Sequence, residues 1–261
     1  MSNGVSLNAN WKPLYVLAMT ARSGSTMLCS AIKCIEELGE PAEYFNNRGQ
    51  LKNFHARFGG RDFSDYLHNI FNSVGSVSHT LGIKSPYMDF KFMAECPKFT
   101  HLLPYVNFVY LTRRDIFAQS VSLWRAKKTN LWHSHAAGKS KSISDPVSYN
   151  YDELVVSLMA LLRERICWES LFSLYGLTPL RMAYEDICGN NLKPSVQLLA
   201  KSIGFDISEQ KLETAEAATI KLGTGEQDET IDRFRSDVLD RALYSKLNSK
   251  TDLTFKIKLT K

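Results

Sequence analysis

The sequence predicts an α/β fold with a central, mostly parallel sheet flanked by helices, and three observations carry that expectation. Apolar runs at Leu14 to Met19 and Val106 to Leu111 read as buried interior strands, with Thr80 to Lys84 between them as a further candidate strand. The first and third give way to segments with apolar residues at helical spacing, the succession that builds a parallel sheet by crossovers. The first run also ends in Ala21-Arg22-Ser23-Gly24-Ser25-Thr26, a compact turn that opens directly into such a segment.

After the first strand, Met27, Leu28, Ala31, Ile32, Ile35 and Leu38 fall three and four apart, so one helical face packs on the sheet. Gly39-Glu40-Pro41 breaks the pattern, and Glu43-Tyr44-Phe45 follows as a short extended piece over the top of the sheet. Segment 46–60, rich in Asn, Arg and Gly, reads as a loop or lid, and Phe63, Tyr66, Leu67, Ile70 and Phe71 then form a helical face. The second strand stops at Ser85-Pro86, which leaves Lys84 at its carboxyl end, where open α/β sheets present functional groups. The third runs into Thr112-Arg113-Arg114-Asp115 and a helix carrying Ile116, Phe117, Val121, Leu123 and Trp124.

Residues 125–149 form a polar stretch that reads as a second exposed segment. Leu154, Leu158, Leu161, Leu162 and Ile166 describe a long helix from Tyr151 to Tyr175. A short strand from Thr178 to Ala183 then ends at Tyr184-Glu185-Asp186. Residues 191–204 and 230–246 read as helices, and Thr251 to Leu259 as a terminal strand or arm. No repeat divides the chain, so a single domain over 1–261 is expected.

With 261 residues, 44% of them hydrophobic, the chain can bury a substantial core. Its net charge of +5 includes no dense Lys/Arg block, which argues against nucleic acid as a partner and for local anion pockets. The five cysteines form no C-x-x-C pair and the six histidines no H-E-x-x-H, so no metal is expected. A polar N-terminal segment and the lack of a bilayer-length apolar stretch give the expectation of a cytoplasmic protein with no transmembrane segment.

The turn after the first strand suits an anion. Arg22 supplies a planar cation, Gly24 permits close backbone approach, Ser25 and Thr26 add hydroxyls, and the next helix aims its free N–H groups there. The residue before Ser25 is Gly24 and no lysine lies in the turn, unlike the nucleoside-triphosphate loop G-x-x-x-x-G-K-[ST]. On the residues alone, the turn either holds a phosphate or simply ends a strand and caps a helix. Arg113 either binds a second, separate phosphate, with Gln119 and Ser122 as neutral partners, or joins Arg114 in ion pairs with Asp115 or Glu185. Lys84 either faces the ligand or snorkels from the sheet edge.

Four ordered segments extend this picture: the Arg22 to Thr26 turn, Gly39-Glu40-Pro41-Ala42-Glu43-Tyr44-Phe45, Arg113-x-Asp115 followed by Gln119-Ser120-Val121-Ser122-Leu123-Trp124-Arg125-Ala126, and Tyr184-Glu185-Asp186. Together they closely resemble the bacterial trehalose 2-sulfotransferase family, the Stf0-type carbohydrate sulfotransferases, over most of residues 14–240. The resemblance implies a P-loop-like sulfotransferase fold and a 3'-phosphoadenosine 5'-phosphosulfate (PAPS) donor, with no metal required. It further implies in-line sulfuryl transfer to a hydroxyl of a carbohydrate or glycolipid. Arg22, Ser23, Gly24, Ser25 and Thr26 would hold the 5'-phosphosulfate and Arg113 the 3'-phosphate, with Tyr184 in the donor pocket. Many sulfotransferases place a serine four residues beyond the aspartate of this strand end; here that position is Gln119, with Ser120 and Ser122 nearby.

Glu43 matches the family's proposed general base, with Glu40 and Glu185 in reserve, while Arg22 and Lys84 would stabilise charge on the departing oxygen. Ile231-Asp232-Arg233-Phe234-Arg235 resembles a basic stretch that folds onto the nucleotide, making Arg233 and Arg235 secondary candidates. Arg48, Phe54, His55, Arg57, Trp124, Arg125, Trp132 and His133 are candidates for the acceptor walls, although segment 46–60 does not repeat the family's trehalose-contacting segment. A homodimer and work at the inner membrane surface are both compatible with the resemblance. The competing readings are a magnesium-dependent small-molecule or nucleotide kinase of P-loop type and a noncatalytic nucleotide-binding relative.

Overall fold

The computed structural model of the protein describes residues 14–46, 51–78, 80–95, 97–100, 103–132, 147–216 and 225–241. The chain runs through β1 (Leu14–Met19), α1 (Ser25–Lys33), α2 (Leu51–Phe58), α3 (Phe63–Ser78), β2 (Leu81–Ser85), α4 (Tyr87–Ala94), α5 (Pro97–Thr100) and β3 (Val106–Thr112). It continues through α6 (Ile116–Thr129), α7 (Tyr151–Leu174), β4 (Leu180–Ala183), α8 (Tyr184–Ile187), α9 (Leu192–Ser202), α10 (Glu209–Leu212) and α11 (Gly225–Asp240).

The strands form one parallel sheet in the order β2-β1-β3-β4. Val16 lies opposite Ile83 on one side and Phe108 on the other. The chain leaves β1 toward β2 and then crosses to the far side of β1 to lay down β3. This reversal opens a crevice beyond the carboxyl ends of β1 and β3, the place where such sheets receive ligands.

Alternation along β1 divides the core between two faces. Tyr15, Leu17 and Met19 pack with Leu28 and Ile32 of α1 and Val196 and Leu199 of α9. Val16 and Ala18 face Ile70 of α3, Phe90 of α4 and Trp168 of α7. Each of these fully buried large side chains contributes on the order of 1.5–3 kcal/mol by leaving water. Trp168 lies among Phe90, Phe108 and Phe172 and donates its indole N–H to the Met19 carbonyl at 3.3 Å, which anchors the end of β1. A further cluster joins α6, α7 and α11 through Trp124, Leu154 and Phe234.

The structure departs from the sequence expectations at several places, among them α4, a helix after β2 that the sequence pattern does not predict. Segment 46–60 is not all loop, because residues 51–58 form α2; Leu51, Phe54 and Phe58 fall three and four apart within a polar stretch, a helical spacing that its composition masks. Trp124 is buried with its indole N–H donated to Glu153 at 2.7 Å, so it belongs to the core and not to an acceptor wall. Ile166, placed on the inward stripe of the long helix, is exposed, and Arg165 and Trp168 occupy that stripe instead. In the 125–149 segment, residues 125–129 belong to α6 and 133–146 lie outside the described residues, as do 47–50 and the terminal arm at 251–259. Among the described residues no helix is long and apolar enough to cross a membrane, and Cys29, Cys34, Cys167 and Cys188 are free.

Candidate active site

The turn between β1 and α1 lies at the mouth of the crevice. Arg22 takes a left-handed backbone conformation with φ 64°, uncommon for a residue with a side chain, and Gly24 follows at φ 83°. A Cβ on Gly24 would stand 2.5 Å from Cδ2 of Tyr184, so glycine lets the Tyr184 ring close against the turn. Gly24 is also the Ncap of α1, and no side chain caps that end of the helix, leaving its first N–H groups available to an anion. Ser23 is fully buried and its hydroxyl has no hydrogen-bond partner among the described residues.

Arg22 and Arg113 converge on this mouth from neighbouring strands. Arg22 donates through Nε to Ser122 Oγ at 2.9 Å and through another guanidinium nitrogen to the Trp132 carbonyl. Burial lowers its pKa from the usual arginine value, and the like charge of Arg113 lowers it further. The Arg113 guanidinium lies 4.6 Å from the centre of the Tyr184 ring, and its Nε is buried without an acceptor. Neither arginine makes a salt bridge among the described residues, although Glu185 lies near enough to feel the charge of Arg113. Arg114, by contrast, makes a bidentate pair with Asp186 at 2.6 Å on both arms, which holds the Asp186 carboxyl below the usual carboxylate range. Of the two ion pairs the sequence left open, only the one at Arg114 forms, and its main partner is Asp186.

Glu185 accepts from the backbone N–H of Arg114 at 3.0 Å and of Asp115 at 3.3 Å, which fixes the turn out of β3. Burial alone would raise its pKa, but these donors together with the charge of Arg113 outweigh burial and the net shift is downward. Asp115 caps α6 by accepting from Ala118 N at 2.9 Å and also pairs with Arg235 at 3.1 Å. Arg235 pairs further with Asp232, and the exposed Arg233 stacks on Tyr149 at 4.0 Å, so both α11 arginines have partners within the protein. Gln119 is fully buried; its Nε2 donates to Thr20 Oγ1 at 2.8 Å and to the Ala21 carbonyl at 2.7 Å. Its amide protons are therefore committed inside the protein rather than offered to a ligand.

On the other side of β1, Lys84 turns inward from the end of β2. A single parallel bridge between Ala42 and Ile83, with Lys84 N donating to Ala42 O at 3.0 Å, draws the 41–45 segment along this edge. It sets Glu43 Oε1 at 2.7 Å from Lys84 Nζ, with only 17% and 9% of the two side chains exposed. Lys84 Nζ also donates to Thr26 Oγ1 at 3.1 Å, linking the carboxylate to the β1–α1 turn. Buried Pro41, Tyr44 and Phe45 surround this corner, and Asn46 donates to the second Glu43 oxygen at 2.5 Å. Glu40 is paired instead with Lys33 at the surface.

Of the acceptor-wall candidates, His55 stacks on Tyr66 and Arg57 on Phe58, while Trp132 is 39% exposed beside Arg22. Arg48 and His133 lie outside the described residues, as does the Phe54 side chain. Sequence reasoning missed Arg165 on α7, whose guanidinium donates to the Arg113 carbonyl and to Gln119 Oε1. The available signal was a charged residue on the apolar heptad stripe Leu154, Leu158, Leu161, Trp168 and Phe172.

The Stf0 sulphotransferase family pattern matches residues 93–237, more than half of the chain. The chain belongs to the Stf0 sulphotransferase family. The match takes in Arg113, Gln119, Ser122, Arg165 and Tyr184, while Arg22 to Thr26, Glu43 and Lys84 precede it and join the site through the fold alone. The trehalose 2-sulfotransferase of Mycobacterium tuberculosis (strain ATCC 35801 / TMC 107 / Erdman) is 28% identical over 130 residues, 50% of this chain and 46% of that protein. The chain thus spans about half the length of this relative. The sulfotransferase domain of the Synechococcus PCC 7002 olefin synthase superposes with a TM-score of 0.46 at 13% identity, covering 86% of this Stf0 chain and 88% of that one.

Proposed function

We propose that the protein is a single-domain sulfotransferase that takes a sulfuryl group from PAPS and places it on a hydroxyl of a carbohydrate or glycolipid, in the cytoplasm. The observation that carries this reading is the meeting of Arg22 and Arg113, neither of them in a salt bridge among the described residues, across the crevice between β1 and β3. Two desolvated guanidinium groups repel each other until an anion stands between or beside them. The buried orphan atoms Arg113 Nε and Ser23 Oγ, and the space that glycine leaves at position 24, fit a ligand bearing phosphate at two points. The carbohydrate class follows from the name of the mycobacterial relative.

When bound, the donor supplies an activated sulfuryl group. Arg22 and the Ser23 to Thr26 backbone, serving as a phosphate-binding loop, would hold its 5' end, and Arg113, braced by the Tyr184 ring, its 3'-phosphate. Ser122 orients Arg22 and Gln119 supports the turn from behind. Glu43 takes the proton from the acceptor hydroxyl as the new oxygen–sulfur bond forms, and the bond to the nucleotide phosphate breaks with its electron pair leaving on that phosphate. Lys84 and Arg22 are placed to hold the charge that develops there. Arg235 acts through Asp115, at the same corner as Arg113.

Calorimetric titration with adenosine 3',5'-bisphosphate in metal-free buffer tests the reading. Binding that exceeds that of ADP and weakens by roughly 10- to 150-fold in Arg113→Ala, the scale of a lost charge-assisted contact, is expected. Preference for ADP, or binding only with magnesium, would return the kinase reading.

A further inference from the structure

We propose that Arg165 is the positioning residue that sets the separation of the two anion anchors, and so the preference for a nucleotide phosphorylated at two points over one phosphorylated at a single point. The inference rests on the reading of the crevice given above and extends it to a residue on a different element. Arg165 projects from the inward stripe of α7 and donates through one guanidinium nitrogen to two acceptors, the Arg113 main-chain carbonyl and Gln119 Oε1, the latter at 2.8 Å. Gln119 in turn donates to Thr20 Oγ1 and to the Ala21 carbonyl, the two residues that lead into Arg22. One guanidinium therefore ties the backbone of the anchor at the end of β3 to the turn that carries the anchor at the end of β1.

A packing role alone does not account for this side chain. Burial lowers its pKa more than the charge of Glu185 raises it, its Nε is a buried orphan, and among the described residues it makes no salt bridge. A desolvated cation of this kind costs stability that a leucine on the same stripe would not. The rigid planar donor set of arginine suits a link between two fixed acceptors, and a lysine can supply the charge but not that geometry. Its positive charge also adds to the potential at the crevice, where an anion offsets the cost.

The test compares the dissociation constants of adenosine 3',5'-bisphosphate and adenosine 5'-monophosphate for the unaltered chain and for Arg165→Met, Arg165→Lys and Gln119→Met, with a thermal melt of each. In the unaltered chain the bisphosphate is preferred. In Arg165→Met that preference falls by roughly 10-fold or more, the scale of a misplaced charge-assisted contact, while monophosphate affinity stays within about 3-fold. Arg165→Lys recovers part of the preference, and Gln119→Met, which cuts the link to the turn but keeps the cation, loses it in the same direction. An unchanged preference in the variants that fold, whatever their melting temperatures, overturns the positioning role and leaves Arg165 as packing. Absence of any preference in the unaltered chain overturns the two-phosphate reading and this inference with it. If Arg165→Met does not fold, Arg165→Lys and Gln119→Met decide the same question.

Discussion

At the scale of single residues, the decisive contact is the Lys84–Glu43 pair, because it puts a carboxylate, a cation and the Thr26 hydroxyl of the β1–α1 turn within direct reach of one another. A buried pair is worth little over an apolar substitute, yet removal of one member strands the other charge. Lys84→Met is therefore expected to destabilise the fold by about 3–5 kcal/mol in denaturant titrations, and by much less in a Glu43→Gln background, where no carboxylate is left stranded. Glu43→Gln should lower sulfuryl transfer by roughly 10²- to 10⁴-fold, with bisphosphate binding within about threefold of the unaltered chain. Equal losses in binding and transfer would assign Glu43 to the donor pocket instead. Glu43 was legible in the sequence only by resemblance, since nothing in its local pattern announces that a single bridge at Ala42 will carry it to Lys84.

At the scale of elements, the turn between β1 and α1 depends on a close approach between distant segments. Gly24→Ala meets both a left-handed backbone and a Tyr184 ring atom 2.5 Å from the new Cβ. Gly176, at φ +62° with nothing within 4 Å of a built Cβ, supplies the control in which only the backbone term operates. Gly176→Ala is expected to cost about 1 kcal/mol and to leave bisphosphate affinity alone, whereas Gly24→Ala should cost about 1–3 kcal/mol and abolish that affinity in calorimetry. If the two variants bind alike, the Tyr184 contact does not shape the turn. The strands and α7 were readable because continuous apolar runs and a long 3.6-residue period do not depend on distant partners. The inward face of α7 was misread at one point because apolarity alone selected Ile166, while the stripe through Leu161, Trp168 and Phe172 carries Arg165. Desolvated cations are the residues that hydrophobic patterning is built to discard.

At the scale of the whole molecule, strand order makes the site, and strand order is what the sequence does not state. Four strands and the helices α1, α3, α6, α7, α9 and α11 were legible, but the order β2-β1-β3-β4 is set by which side of β1 each crossover takes, a choice made by packing against α1 and α9 on one face and α3, α4 and α7 on the other. That choice brings Arg22 and Arg113 into one crevice, and their mutual repulsion is a cost borne by the folded state alone, since the unfolded chain keeps them apart. A ligand that neutralises both should therefore stabilise the fold by linkage. Adenosine 3',5'-bisphosphate at about 100 times its dissociation constant should add about 2.7 kcal/mol, which for a chain of this size raises the melting temperature by roughly 5–11 °C. At a fixed ligand concentration the shift should shrink in Arg113→Ala and as added salt screens the crevice, and inorganic sulfate, which can satisfy one anchor at a time, should give a smaller shift. A shift as large with sulfate as with the bisphosphate would mean that the two arginines act as one anion site, and the crevice would then have no means of telling the ends of a nucleotide apart.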